Sequence, residues 1–176
     1  KTLKSISLWQ DGSKVRDIEV GENTIGDLLS DTEYTVIIEY DYLGKTETIE
    51  QTFVTEKNEV PSAFLLIGET DKHTVSIRIT ETDPSEVGEV RRLEIIDKDG
   101  NIAATISPDQ RVFEGLLANN AYKVVMTYVY DLNDGNGEQT FVREITANTK
   151  KYTTPSIIIR TTKKDYTWMT FTVSTA

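Results

Sequence analysis

The 176-residue sequence contains no cysteine and a single histidine, His73. Without cysteine the chain has no disulfide framework, no thiolate zinc site and no thiol nucleophile. A Ser-His-Asp triad could be built only around His73, which stands at the start of a predicted strand, and no Gly-x-Ser-x-Gly motif occurs. Neither a paired-carboxylate arrangement nor a phosphate-binding glycine-rich loop is present. We therefore predict a protein that is not an enzyme, with no catalytic, cofactor-binding or metal residues and no cofactor.

Basic residues are also scarce, with 19 Lys and Arg against 29 Asp and Glu and a net charge of −10. This charge argues against nucleic acid as a partner. No apolar run approaches membrane-spanning length, so we expect no membrane insertion. The N-terminus lacks a hydrophobic signal region, and the chain begins on strand-like sequence, which indicates part of a longer protein. Charge is uneven: residues 150–176 carry 5 − 1 = +4, whereas residues 1–57 carry 6 − 12 = −6.

Alternating bulky residues dominate the sequence instead, and 25 of the residues are threonine. In the segments 34–42 and 122–130, every second position is aromatic or aliphatic, which predicts strands with one buried face. Val, Ile, Tyr and Thr suit half-buried pleated surfaces. No segment shows the spacing of an amphipathic helix. We predict an all-β fold.

The two alternating segments belong to a repeat. LLSDTEYTVIIEYDY at 28–42 returns as LLANNAYKVVMTYVY at 116–130, an offset of 122 − 34 = 88 residues. This register extends without a gap from the Asp-Gly turns to the strand 50–54 and its copy 138–142. The junction prolines, Pro61 and Pro155, are instead 155 − 61 = 94 residues apart, so we assign the extra length to a longer exit at 143–154.

When the strands of one β-sandwich unit are lettered A to G in chain order, the repeat predicts the order C, D/E, F, G, then A, B, C, D/E, F, G, then A, B. The domains are then a partial β-sandwich module at 1–57, a complete module at 58–150, and the first two strands of a further module at 151–176. An alternative phasing divides the chain into 1–87 and 88–176, with the last two strands packing on the sheet just before them. A third arrangement is an exchange in which those strands join the first unit of a second copy.

A leucine six residues before a tyrosine, in a seven-strand unit with a proline at each junction, resembles fibronectin type III and immunoglobulin-like modules. Leu28 with Tyr34 and Leu116 with Tyr122 match the leucine and tyrosine of the family's tyrosine corner, at the start of strand F. The resemblance implies tandem β-sandwich modules in which the tyrosine ring caps the core. The tryptophan usual in the family's strand B is absent here. The segment 131–135, Asp-Leu-Asn-Asp-Gly, also resembles repeats of bacterial surface and phage structural proteins.

Three groups of residues are candidates for binding. The acidic and amide side chains of loop 131–138 suit Ca²⁺, although Asn, Asp and Gly are equally what a hairpin turn requires. Outward apolar residues suit a neighbouring module or a protein partner, or are isolated surface residues: Ile37, Val125 and Val129. Exposed aromatic residues would suit a glycan: Trp9, Tyr166 and Trp168.

These features favour a non-catalytic spacer or adhesive stalk of a longer extracellular or cell-surface protein, acting through protein–protein or cell-surface contacts. Its expected partners are neighbouring modules of the same protein, together with an unidentified protein or glycan ligand. One alternative is a phage tail or fibre component, located in the virion. Another is an accessory carbohydrate-binding module.

Overall fold

The computed structural model describes residues 2–175, and over that range the chain forms thirteen strands and no helix. The predicted all-β class is thus confirmed, and the described residues include no helix that could cross a membrane. The strands are β1 (Thr2–Gln10), β2 (Ser13–Asp17), β3 (Glu33–Tyr42), β4 (Lys45–Val54), β5 (Ser62–Thr70), β6 (Val75–Thr82), β7 (Gly88–Ile96), β8 (Ile102–Ile106), β9 (Val112–Phe113), β10 (Ala121–Tyr130), β11 (Gln139–Asn148), β12 (Ile157–Lys164) and β13 (Met169–Thr175).

The first four strands form one antiparallel sheet in the order β2-β1-β3-β4, here called the head sheet. Leu8 and Tyr34 are its buried centre, with Ile18 from the chain that follows β2. Partly buried hydrophobic side chains surround them: Ile6, Ile25, Leu28, Val36 and Phe53. No second sheet formed by residues 2–175 covers this face.

The next seven strands form two sheets that face each other, here called the middle sandwich. One sheet has the order β11-β10-β7-β8 and the other the order β5-β6-β9. Both sheets contribute to a single core, because Val75 and Phe113 from the smaller sheet cluster with Leu93 and Met126 from the larger, all with no exposed surface. The alternation of apolar and polar residues therefore places one face of each sheet in the same core.

Strands β12 and β13 pair only with each other and form the tail hairpin. Its register repeats that of β5 and β6 at an offset of 94 residues: Leu65 pairs with Ile79, and Ile159 pairs with Val173. The irregularity in the ladder also recurs at the same place, after Ile67 in one hairpin and after Thr161 in the other. The tail hairpin therefore has the same pairing pattern as the first two strands of the middle sandwich.

The pairing registers correct the predicted position of the extra residues. Tyr34 lies opposite Phe53, but Tyr122 lies opposite Ala147. The loop between β3 and β4 holds two residues, 43–44, whereas the loop between β10 and β11 holds eight, 131–138. The difference, 8 − 2 = 6, raises the offset from 88 to 94 before the last strand. The ungapped match of 50–54 with 138–142 was therefore wrong as a structural alignment, and the extra residues lie in the loop rather than in 143–154.

Candidate functional site

Both predicted tyrosine corners are present, and their hydroxyl groups close them. The Tyr34 hydroxyl accepts a hydrogen bond from the backbone N–H of Leu29 at 3.0 Å, and the Tyr122 hydroxyl accepts one from Leu117 at 2.9 Å. Both tyrosines are buried. A phenol at the start of a strand thus ties down the backbone five residues earlier, in line with the tyrosine corner of β-sandwiches.

A threonine after each last strand completes the corner, and sequence reasoning missed it. The Thr55 hydroxyl donates to the Leu29 carbonyl at 2.6 Å and accepts from the Thr32 N–H at 3.0 Å. The Thr149 hydroxyl donates to Leu117 at 2.7 Å and accepts from Asn120 at 3.0 Å. The two threonines are 149 − 55 = 94 residues apart, which is also the offset between the junction prolines. That offset could have identified the two threonines as equivalent from the sequence.

The corner of the head sheet contacts the loop 131–138 of the middle sandwich. The Ser30 N–H donates to the Asn133 carbonyl at 2.7 Å, and the Asn133 side-chain amide donates to the Leu28 carbonyl at 2.9 Å. The Leu132 carbonyl accepts from the Ser30 hydroxyl at 2.5 Å and from the Asn58 amide at 2.9 Å. The side chain of Leu132 is buried. The six extra residues of the loop thus join one unit to the next.

The polar side chains of this loop also form its turns. Asp131 accepts a hydrogen bond from the Asn133 N–H at 2.8 Å, and Asp134 accepts one from the Asn136 N–H at 3.0 Å. The second bond is the main reason that the pKa of Asp134 lies below its ordinary value. Asn133 has φ 52°, a conformation that asparagine tolerates well. Turn formation and unit contact therefore explain the composition of the loop. Residues 2–175 include no cluster of three metal-ligating side chains of the His, Cys, Asp and Glu types, and Ca²⁺ binding stays a prediction.

His73 lies at the opposite end of the middle sandwich from that loop. One ring nitrogen lies 2.7 Å from the Leu116 carbonyl oxygen and the other 2.7 Å from the Tyr152 hydroxyl oxygen. The Lys72 ammonium also lies 4.9 Å from the centre of the Tyr152 ring. Both nitrogens thus have partners other than a serine hydroxyl, and the histidine ties the chain after β11 to the corner.

The outward apolar candidates differ in exposure. Ile37 and Val125 are partly buried, but Val129 is only 5% exposed, so its predicted place on an open surface was wrong. It lies one residue before β10 ends, next to the loop that contacts the head sheet. The outward face of β10 is therefore partly exposed at Val125 and buried at Val129, near the end of the strand.

The aromatic candidates lie in two separate parts of the chain. Trp9 is in the head sheet, partly buried, and donates its indole N–H to the Ser7 hydroxyl at 2.9 Å. Tyr166 and Trp168 lie in the turn of the tail hairpin, between β12 and β13, and both are exposed. Trp9, Tyr166 and Trp168 therefore do not form one row of aromatic rings.

The cavity beside the loop 131–138 has a volume of about 260 Å³ and charged walls. Arg91 crosses it, with its guanidinium 2.8 Å from a Glu138 carboxylate oxygen and 3.1 Å from one of Glu89. These contacts pair Arg91 with two of the four carboxylates that line the cavity, so the charge of its walls is net negative.

No protein-family model matches the chain, and no curated protein sequence matches it significantly.

Proposed function

We propose that the chain is a non-catalytic spacer or adhesive stalk from a longer extracellular or cell-surface protein, built of tandem fibronectin type III-like modules. The observation that carries this proposal is the junction, where two repeated units are joined end to end through backbone and side-chain hydrogen bonds of Ser30, Asn58 and Asn133. A unit that docks on its neighbour limits bending, which a spacer requires and an isolated binding domain does not.

The strand order supports the family assignment. If β5 to β11 are lettered A, B, C, C′, E, F and G in chain order, so that two strands stand where the sequence predicted one D/E strand, the larger sheet reads G-F-C-C′ and the smaller sheet reads A-B-E. Two tyrosine corners with the same hydroxyl-to-backbone bond support it further. A core that draws on residues from Ala63 to Ala147 supports the boundaries 58–150 over the division at residue 87.

Stiffness of the junction tests the proposal. NMR relaxation should give the head sheet and the middle sandwich one common tumbling time. The double variant Ser30→Ala/Asn133→Ala removes two junction hydrogen bonds and should separate the two tumbling times. Ser5→Ala, which removes a hydrogen bond to Glu39 within the head sheet, should not. Independent tumbling of the two units in the unsubstituted protein would contradict the spacer function.

Location and ligand need separate measurements. Antibody labelling of intact cells distinguishes a cell-surface protein from a virion component. A glycan array distinguishes the carbohydrate-binding alternative, for which the exposed pair Tyr166 and Trp168 is the only remaining aromatic surface among the three residues considered. Binding to any glycan that is lost in Trp168→Ala would favour that alternative over a plain spacer.

A further inference from the structure

The loop 131–138 contains an asparagine followed by a glycine, Asn136 and Gly137, and the sequence has no other Asn-Gly pair. A backbone nitrogen can attack the side-chain amide of the asparagine that precedes it. Glycine favours this attack, because it has no Cβ to hinder the approach and its backbone adopts conformations closed to other residues. The pair most open to this reaction thus lies in the loop that joins the head sheet to the middle sandwich.

This pair lies just beyond the part of the loop that contacts the head sheet. The junction hydrogen bonds are made at 132–133, and a Cβ placed on Gly135 would still lie 3.7 Å from a methyl carbon of Leu29. A Cβ placed on Gly137, by contrast, would meet no atom within 4 Å. Asn136 is exposed. Water therefore reaches both residues of the pair.

The backbone nitrogen of Gly137 is free to react. Within residues 2–175, no hydrogen bond forms at its N–H group, and β11 begins only two residues later. Asp134 accepts the N–H of Asn136 at 3.0 Å, and the side-chain amide of Asn136 lies near the same carboxylate, whose pKa it helps to lower. The asparagine is thus held at its own nitrogen, while the nitrogen that would attack it has no bond to break first.

The second asparagine of the loop, Asn133, is an internal comparison. Its side-chain amide donates to the Leu28 carbonyl at 2.9 Å, and its backbone N–H donates to Asp131 at 2.8 Å. The residue after it is Asp134, whose Cβ hinders an approach of the backbone nitrogen. One loop therefore contains an asparagine that is tied into the junction and another whose side chain is exposed to water.

We propose that Asn136 is a modification site, at which the folded chain spontaneously loses ammonia and forms aspartate and isoaspartate. The Gly137 nitrogen forms a bond to the side-chain carbonyl carbon of Asn136. The bond from that carbon to the side-chain nitrogen breaks, and ammonia leaves with the proton of the Gly137 N–H group. Water then opens the resulting cyclic imide at either of its carbonyl groups. Water is the only co-reactant, and no atom is oxidised or reduced.

Both products change the junction loop permanently. Each adds a negative charge beside Asp134 and Glu138. Isoaspartate also carries the backbone through the side chain, which adds a methylene between the part of the loop that contacts the head sheet and the start of β11. The site does not depend on the proposed spacer function, so independent tumbling of the two units would leave it standing.

The experiment follows the mass of the 176-residue protein during incubation at neutral pH, under conditions in which its circular dichroism does not change. Peptide mass spectrometry should locate one added mass unit at Asn136, and an isoaspartyl methyltransferase should label the same peptide. A synthetic peptide of residues 131–138 gives the rate of the reaction without the fold. We expect the folded protein to react within about tenfold of the peptide, which corresponds to a barrier higher by no more than about 1.4 kcal/mol. A slower reaction than this in the folded protein overturns the proposal.

The controls separate the two asparagines of the loop. Asn136→Gln lengthens the side chain by one methylene, so that the attack would need a larger ring, and the added mass should disappear from this peptide. Asn133 should stay unmodified in the unsubstituted protein. An added mass unit that fragmentation places at Asn133, or one that persists in the loop of Asn136→Gln at the original rate, would overturn the assignment to Asn136.

Discussion

Two tyrosines on strand β10 should respond oppositely to the loss of their hydroxyl groups. The Tyr122 hydroxyl accepts the Leu117 N–H at 2.9 Å and closes the corner. The Tyr128 hydroxyl is buried and makes no hydrogen bond of good geometry, although the carboxylates of Glu81 and Asp83 lie near enough to raise its pKa. Its acidic neighbour Asp83 already accepts hydrogen bonds from the backbone N–H groups of Val87 and Gly88, at 3.2 and 2.7 Å. The same substitution, Tyr→Phe, therefore removes a bond in one case and an unsatisfied polar group in the other.

The expected magnitudes follow from these environments. Tyr122→Phe leaves the Leu117 N–H without its partner, which should cost about 1–3 kcal/mol of unfolding free energy. For a unit of this size that lowers the melting temperature by about 4–8 °C per kcal/mol. Tyr128→Phe should be neutral or stabilising, since a buried hydroxyl without a partner is itself unfavourable. Tyr122→Ala, which also removes the ring from the core, should cost about 3–5 kcal/mol.

The two tryptophans make the assay selective. Trp9 lies in the head sheet and Trp168 in the tail hairpin, so the middle sandwich contains none. Urea unfolding followed by circular dichroism reports the strands of all three parts together, whereas tryptophan fluorescence reports only the head sheet and the tail hairpin. Destabilisation of the middle sandwich should therefore shift the circular dichroism transition and leave the fluorescence transition unchanged. A neutral Tyr122→Phe would refute the corner bond, and a Tyr128→Phe that destabilises as much as Tyr122→Phe would refute the absence of a good hydrogen bond at Tyr128.

Three further outcomes are expected. Gly88→Ala should destabilise the middle sandwich by about 1–3 kcal/mol, because a Cβ would lie 2.5 Å from the Tyr128 ring, whereas Gly26→Ala, with no atom within 4 Å, should be near neutral in the same melting experiment. Burial, then the charges of Asp83 and Glu81, raise the pKa of Tyr128 from 10.0 to about 12. The phenol therefore ionises first in the unfolded chain, and the unfolding free energy should fall by about 2–3 kcal/mol as pH rises from 10 to 12. Tyr128→Phe should abolish this fall in alkaline urea titrations. Thr149→Val should cost about 1–3 kcal/mol of unfolding free energy. It should couple to Tyr122→Phe in a double-mutant cycle, because both hydroxyls hold the segment 117–120. Strictly additive losses of unfolding free energy would contradict a shared corner.

The strands and corners could be predicted because they depend on local patterns. Alternation of bulky residues placed β3 and β10 correctly, and the spacing of leucine and tyrosine placed both corners. The position of the six extra residues was mistaken because EQTFV occurs in both copies, at 50–54 and 138–142, and sequence matching followed those letters. Pairing followed the loop instead: a two-residue turn at Leu43 and Gly44, with φ of 51° and 78°, sets one register, and an eight-residue loop sets the other.

By itself, the sequence determined which residues face inward along each strand, because a strand has a strict period of two and one face must leave water. It also determined the repeat and its interruption. The tertiary structure alone decided which inward faces are covered. Tyr128 is buried because β5 and β6 lie over its sheet, whereas the same pattern at Tyr40 stays partly open. Burial depends on what a sheet meets in space, so the same alternation does not by itself fix how deeply a strand face is buried.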